Sequence, residues 1–290
     1  MSAADDVREW EARGRYLSVD GRSIWVLDVS AVDEQGLDPL LVLHGFPSCS
    51  YDWHLVLDAL RARRRVVALD FLGFGLSDKP DVRYSMRLQA DVVEAMAGDL
   101  GLRSVAMLTH DMGDTVGGEL LARSLEGTLA FEVTQRVLTN GSIYIDMAHL
   151  SNGQQLLLSL DDAATDLVVA EGFQAGLAGT FSADTTVDTD ELEAQWLFAE
   201  RNGGNRLLPR TIRYIEDRRA EERRFTGAIE THPSPLAVVW GADDPIAILA
   251  MTDELKRARP DAKITVLDRV GHYPMLESPT RFAQAVTAAL

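Results

Sequence analysis

Residues 105–118, Val-Ala-Met-Leu-Thr-His-Asp-Met-Gly-Asp-Thr-Val-Gly-Gly, constrain the fold more than any other stretch of the chain. An apolar run typical of a buried strand ends at Thr109, and a helix-compatible segment follows at once. Asp111 stands between the two, with the small residues Thr109 and Gly113 two positions away on either side. A strand that turns directly into a helix strains its apex residue, and bulky neighbours at those positions would collide. The pattern predicts that Asp111 projects into a cleft as a nucleophile. On this stretch alone, an aspartate that only caps the helix fits equally well.

Composition limits the partners and the compartment that we expect. With 290 residues the chain is long enough for one α/β domain with an insertion. The formal net charge of −17 predicts no nucleic acid and no anionic membrane as partner, because both would repel the protein. The single cysteine, Cys49, excludes an intramolecular disulfide and fits a reducing compartment. Neither a leader peptide nor a long apolar span is visible, so we expect a cytoplasmic protein.

Short apolar runs alternate with helical patterns along much of the chain, which predicts a parallel sheet with right-handed crossovers. Residues 15–29 are typical of a hairpin that turns at Asp20-Gly21. Besides the strand before Asp111, the sequence predicts strands at 39–43, 65–69, 134–138, 235–240 and 262–267, and helices at 86–100 and 114–125.

The alternation stops after Asn140. From there to about residue 208 no buried strand is evident, and helical patterns cover 154–172 and 190–202. We interpret this region as a helical cap inserted between two strands of the sheet. The predicted division is therefore a first core part at 1–140, a cap at 141–210 and a second core part at 211–290.

Two further candidate catalytic residues lie just beyond predicted strands, where sheet enzymes place their functional groups. His272 follows the last strand and suits a general base, because the pKa of histidine lies near neutrality. Asp244 follows the preceding strand and would fix the tautomer of His272, although the adjacent Asp243 is a rival for that role. The chain order of nucleophile, acid and histidine is that of the α/β-hydrolases.

The tetrapeptide His44-Gly45-Phe46-Pro47 ends another buried strand. We expect the backbone N–H of Phe46 and that of Met112 to form an oxyanion hole. We also expect the Phe46–Pro47 peptide bond to be cis.

From residue 39 to 290 the chain resembles the epoxide hydrolase and haloalkane dehalogenase group of the α/β-hydrolases, and within it the mesoderm-specific-transcript-like proteins. The resemblance is carried by residues 44–48, 50–53, 110–114, 140–141, 213–215 and 272–277. It implies a mostly parallel eight-stranded sheet flanked by helices, with an inserted helical cap.

The same resemblance implies an epoxide hydrolase without cofactor or metal. Asp111 would attack an epoxide carbon to form an ester, and His272, oriented by Asp244, would activate the water that hydrolyses it. Tyr214 would protonate the departing oxygen. Tyr144, at the start of the cap, is a candidate second donor. Residues 154–160, near where the family often has its first cap tyrosine, contain none, and this departure argues against a paired-tyrosine mechanism. The substrate would be a small apolar epoxide in a pocket formed by His44, Pro47, His110 and Trp196.

Several alternatives stay open at this point. A haloalkane dehalogenase would use the same Asp111, but the family's halide-donor positions hold Phe46 and Met112, whose side chains lack donors. Trp196 keeps a halide site conceivable. A catalytically idle binding module and an epoxide-opening cyclase are further alternatives, and a homodimer stays open.

Overall fold

The computed structural model describes residues 2–290. Its eight strands form one sheet in the order β1-β2-β4-β3-β5-β6-β7-β8. The β1–β2 and β2–β4 pairs are antiparallel, and the remaining pairs are parallel. The predicted eight-stranded, mostly parallel sheet is confirmed. The strands are β1 Arg15–Val19, β2 Arg22–Val29, β3 Leu40–Leu43, β4 Val66–Leu69, β5 Ser104–His110, β6 Glu132–Thr139, β7 Leu236–Gly241 and β8 Lys263–Leu267.

Burial along the strands follows their place in the sheet. Every residue of β3, β4 and β7 is buried, as expected for central strands covered on both faces by helices. The edge strands β1 and β8 are largely exposed. Between β1 and β2, Asp20 and Gly21 both have positive φ (50° and 75°), which the predicted two-residue hairpin turn requires.

Helices flank the sheet on both sides and fill the connection between β6 and β7. No helix within residues 2–290 is long and apolar enough to cross a membrane. The helices are α1 Ala3–Arg13, α2 Leu57–Leu60, α3 Met86–Asp99, α4 Met112–Leu125, α5 Asn152–Ser159, α6 Ala170–Ala178, α7 Thr189–Glu200, α8 Leu208–Thr211, α9 Tyr214–Ala220, α10 Glu222–Thr231, α11 Ala250–Ala258, α12 Pro274–Glu277 and α13 Pro279–Ala289.

The connection between β6 and β7, residues 140–235, is helical and strand-free, and we call it the helical insertion. The single helix predicted over 154–172 is wrong, because α5 ends at Ser159 and α6 begins at Ala170. Acidic side chains of the intervening loop bind arginines further along the chain instead: Arg210 Nε lies 2.8 Å from Asp162 and Arg206 Nε 2.7 Å from Asp166. The loop between the two helices is therefore tied to α8 and the segment that leads into it.

The last helix of the insertion, α10, lies against α4, the helix that follows Asp111. A Cβ atom at Gly118 of α4 would lie only 2.9 Å from the Phe225 carbonyl oxygen. Glycine at this position therefore allows the two helices to approach closely. In this way the insertion is packed directly onto the element that carries the candidate nucleophile.

Candidate active site

Asp111 lies at the sharp turn between β5 and α4 and is 1% exposed. Its φ of 48° and ψ of −111° are strained for a residue with a side chain. The turn requires glycine at two positions, one in α4 and one in the loop after β3 that packs against Asp111. A Cβ atom at Gly113 would lie 2.6 Å from the Leu43 carbonyl oxygen, and one at Gly45 would lie 2.8 Å from Asp111 Cβ. The predicted strand–turn–helix geometry is therefore present.

The Asp111 carboxylate faces the loop after β3. The Phe46 backbone N–H donates a hydrogen bond of 2.9 Å to Asp111 Oδ2. Met112 is the first residue of α4, where backbone N–H groups have no acceptor within the helix and the helix dipole favours negative charge. The Phe46–Pro47 bond is cis, as predicted. The two amides expected in an oxyanion hole are therefore both close to Asp111: the Met112 amide follows it in the chain, and the Phe46 amide contacts its carboxylate.

His272 is 2% exposed and its Nδ1 lies 2.7 Å from Asp244 Oδ2. The rival carboxylate Asp243 instead accepts a hydrogen bond of 2.7 Å from Ser182 Oγ. Asp244 is therefore the acid that contacts His272, because the loop after β7 turns the two adjacent carboxylates toward different partners.

Asn140 completes this pair, and sequence reasoning gave it no role. Its Nδ2 donates to Asp244 Oδ2 at 2.8 Å, while its Oδ1 accepts from the Gly241 N–H at 2.9 Å. The Ile246 and Ala247 N–H groups donate to Asp244 Oδ1 at 2.8 and 3.0 Å. Asn140 therefore fixes the Asp244 carboxylate toward His272. In the sequence, the feature that could have identified Asn140 is its position directly after β6 and before a glycine.

The charges around His272 decide its protonation state. Burial by itself lowers the pKa of His272, but Asp244 and Asp111 outweigh that effect and raise the pKa to about 9. At neutral pH the resting protein therefore carries a protonated His272 between two carboxyl groups.

This raised pKa predicts a pH-dependent contribution to stability. A histidine with a pKa of about 9 in the folded chain and 6.5 unfolded stabilises the fold fully below pH 6.5 and loses that effect as pH rises to 9. We expect the difference in unfolding free energy between wild type and His272→Gln to shrink by about 3 kcal/mol over this window. Urea unfolding of both proteins at the two ends of the window measures it. A difference that is the same at both ends contradicts the prediction.

Tyr214 lies at the start of α9 and is 1% exposed, with its ring 5.7 Å from that of Phe46. Burial raises the pKa of Tyr214, and the nearby Asp111 carboxylate raises it further. Tyr144 is placed differently, because its hydroxyl donates to Glu230 Oε1 at 3.2 Å. The structure therefore brings Tyr214 to Asp111 and pairs Tyr144 with a carboxylate elsewhere.

A cavity of about 170 Å³ lies between the sheet and the helical insertion. Leu156 and Leu167 line it while being 60% and 68% exposed, so it opens to solvent beside them. Its inner wall includes Phe46 and His272, and Pro47 lines it as predicted. Further lining is apolar: Leu157, Val168, Phe173, Leu177 and Leu208.

Three residues that we assigned to the pocket lie outside this lining. His44 Nε2 accepts a hydrogen bond of 2.9 Å from the Phe71 N–H, so its ring is used within the core. His110 Nε2 contacts the His272 carbonyl oxygen at 2.8 Å. Trp196 packs behind the wall residue Phe173 at 5.7 Å between rings. The residues directly before and after each of the three, including Asp111, also lie outside the lining.

Comparison with known proteins agrees with this architecture. Residues 40–285 match the model of the "Alpha/beta hydrolase family". The chain is 39% identical over 287 residues to "Putative hydrolase LipZ" of Mycobacterium tuberculosis, covering 98% of both chains. It is 34% identical over 290 residues to the human mesoderm-specific transcript homolog protein, covering 96% of this chain and 86% of that one. A haloalkane dehalogenase of Agrobacterium fabrum is 32% identical over 125 residues, covering 43% of this chain and 40% of the other. The chain therefore belongs to the alpha/beta hydrolase family.

Proposed function

We propose that this α/β hydrolase is an epoxide hydrolase that forms an ester on Asp111. The family and its named relatives support hydrolase activity. The proposal of an epoxide substrate rests on one observation: a carboxylate stands at the elbow, with a buried tyrosine beside it and a His–Asp pair nearby. A carboxylate attacks a strained ring by displacement, and the ester that forms can then be hydrolysed.

In the first step an Asp111 oxygen attacks an epoxide carbon and the ring carbon–oxygen bond breaks. The Phe46 N–H holds Oδ2, which leaves Oδ1 to attack. Tyr214, beside the carboxylate, donates its proton to the ring oxygen. This step converts the Asp111 carboxylate into a neutral ester and Tyr214 into a phenolate.

In the second step water attacks the ester carbonyl carbon. His272 first returns a proton to the Tyr214 phenolate, and the neutral imidazole then removes a proton from water. Loss of the Asp111 charge favours this transfer, because that charge helps to raise the pKa of His272. The Phe46 N–H already contacts Oδ2, where negative charge develops, and the Met112 N–H is the second expected donor.

Single turnover in H₂¹⁸O tests this mechanism. With enzyme in excess over a small apolar epoxide, the diol from the first turnover should contain no ¹⁸O, because its new oxygen comes from Asp111. The label should appear in the Asp111 carboxylate. Solvent oxygen in the first-turnover diol contradicts an ester intermediate. Absence of diol from a broad epoxide panel contradicts the proposed substrate class.

Replacing the proposed acid should slow the first step. We expect Tyr214→Phe to reduce the rate of ester formation by about 10²-fold, because the ring oxygen would leave without a proton. Rapid-quench mass spectrometry measures ester formation separately from ester hydrolysis. Tyr16→Phe is a control, because Tyr16 is 47% exposed on β1. An unchanged rate of ester formation in Tyr214→Phe excludes Tyr214 as the acid.

Haloalkane dehalogenation is the second candidate, favoured by the partial similarity to the Agrobacterium fabrum dehalogenase. It would use the same Asp111 and His272. We rank it second because the side chains of Phe46 and Met112 offer no hydrogen-bond donor to a departing halide. Halide release from haloalkanes, measured beside diol formation from epoxides, separates the two activities.

A further inference from the structure

Arg218 is a buried cation without an ion-pair partner within residues 2–290. It lies four residues after Tyr214 on α9 and is 3% exposed. Its guanidinium carbon is 4.9 Å from the centre of the Tyr214 ring. Nε donates to Thr115 Oγ1 at 2.9 Å, and Nη2 is buried with no hydrogen-bond partner in the described part of the chain.

The buried environment of Arg218 differs from that of Arg224, whose guanidinium is satisfied by carboxylates. Arg224 on α10 binds Glu126 at 2.6 Å and also binds Glu119. A buried charge without such a partner is costly, and its field acts strongly on nearby groups because little water screens it. A guanidinium within about 6 Å of an aromatic ring is also attracted to the face of that ring.

Two charged groups act on the Tyr214 hydroxyl. Asp111 lies at the elbow before α4, and Arg218 lies on the same helix as Tyr214. Asp114, on α4 near Arg218, has a pKa raised well above its usual value by burial, so it is a weak counter-ion. Of the two charges nearest to Tyr214, Asp111 raises its pKa and Arg218 lowers it.

The reaction proposed above changes this balance. Before reaction, the Asp111 carboxylate opposes ionisation of Tyr214. Ester formation removes that negative charge while Arg218 keeps its positive charge, so Tyr214 becomes a stronger acid in the step that needs its proton. The timing follows from the opposite effects of the two charges on the same hydroxyl group.

We propose that Arg218 is a positioning residue that stabilises the phenolate formed when Tyr214 protonates the ring oxygen of the substrate. The O–H bond of Tyr214 breaks and an O–H bond forms on the former ring oxygen. This inference rests on the proposed function.

Comparing two leaving groups distinguishes stabilisation of the Tyr214 phenolate by Arg218 from a purely structural role of Arg218. In a His272→Ala background, ester formation from an epoxide is compared with ester formation from a bromoalkane, whose halide leaves without a proton. We expect Arg218→Met to slow the epoxide reaction by about tenfold or more and the bromoalkane reaction by less than about twofold. Arg218→Lys, which keeps the charge, should restore much of the epoxide rate. Equal slowing of both reactions, or no slowing, overturns the inference.

A second readout needs no substrate. Difluorotyrosine at position 214, followed by ¹⁹F NMR, reports ionisation at a pH where the fold survives, and Asp111→Asn imitates the neutral ester. We expect Asp111→Asn to lower the pKa of residue 214, and a further Arg218→Met change to raise it again by about one pH unit. If Arg218→Met does not fold, Arg218→Gln replaces it. The exposed neighbour Arg219 provides the control variant Arg219→Met.

The two readouts separate the inference from the function on which it rests. If no epoxide forms an ester but the pKa of residue 214 responds to Arg218, the proposed function fails and the electrostatic role of Arg218 stands. If an ester forms but neither the leaving-group contrast nor the pKa responds to Arg218, the inference fails and the proposed function stands.

Discussion

We expect Asp111→Ala to reduce epoxide turnover by at least about 10⁴-fold while the protein remains folded. The residue supplies the attacking oxygen, and the methyl group of alanine cannot replace it. Diol formation measures the loss, and thermal unfolding of the variant checks the fold. Wild-type turnover by a folded Asp111→Ala protein would exclude an Asp111 ester.

Asp111→Asn is the matched variant for this experiment. Asparagine keeps the shape of the side chain, can accept the Phe46 N–H bond, and tolerates the positive φ of 48° better than most residues. If freshly prepared Asp111→Asn loses as much turnover as Asp111→Ala, the loss is due to the missing charge and nucleophilicity of the carboxylate and not to a change in shape. Slow recovery of activity on storage would indicate deamidation back to aspartate.

The second large effect is expected for His272→Ala, with steady-state turnover lowered by about 10³-fold. Removing the imidazole takes away the base that activates water, but it leaves Asp111 and the Phe46 N–H in place. The variant should therefore consume about one equivalent of epoxide and then stop. A rapid-quench time course measures this burst.

A histidine elsewhere provides the control for that variant. His149 is exposed in the helical insertion, and His149→Ala should keep wild-type turnover. Continued multiple turnover by His272→Ala, close to the wild-type rate, would contradict the role of His272 as base. Loss of the burst as well as of turnover would show that His272 is needed before the ester forms.

Much of the sheet was predictable from sequence because its central strands are buried on both faces. The apolar runs that became β3, β4 and β7 can be recognised without tertiary information. Helix α1 was not predicted. It begins with a Ser2–Asp5 capping box and buries only Ala3, Val7 and Trp10, whose indole packs 5.8 Å from that of Trp25.

Parts of the candidate site were also predictable, since residues directly after parallel strands meet at one edge of the sheet. Asp111, Asp244 and His272 were found in this way, and the structure places Asp244 against His272. The position of Arg218 could not be predicted. Its sequence context, among charged residues of α9, is typical of an exposed arginine, and only the packing of the helix shows that it is buried.

Pocket residues were harder to assign because neighbours in sequence need not face the same space. His110 directly precedes Asp111, yet its imidazole contacts the His272 carbonyl oxygen. Successive side chains on a strand point to opposite faces, so adjacency to the elbow does not place a residue in the cavity. The apolar wall itself comes largely from the helical insertion, where the sequence pattern predicted one continuous helix in place of α5, a loop and α6.

The intact mass of His272→Ala protein after incubation with a small apolar epoxide tests the central claim most directly. The account predicts a stable increase equal to the mass of the epoxide, located by peptide mapping to Asp111 and absent from the Asp111→Asn/His272→Ala double variant. An adduct formed only from haloalkanes would identify the chain as a dehalogenase. No adduct from a broad epoxide panel, or an adduct on another residue, would contradict the account.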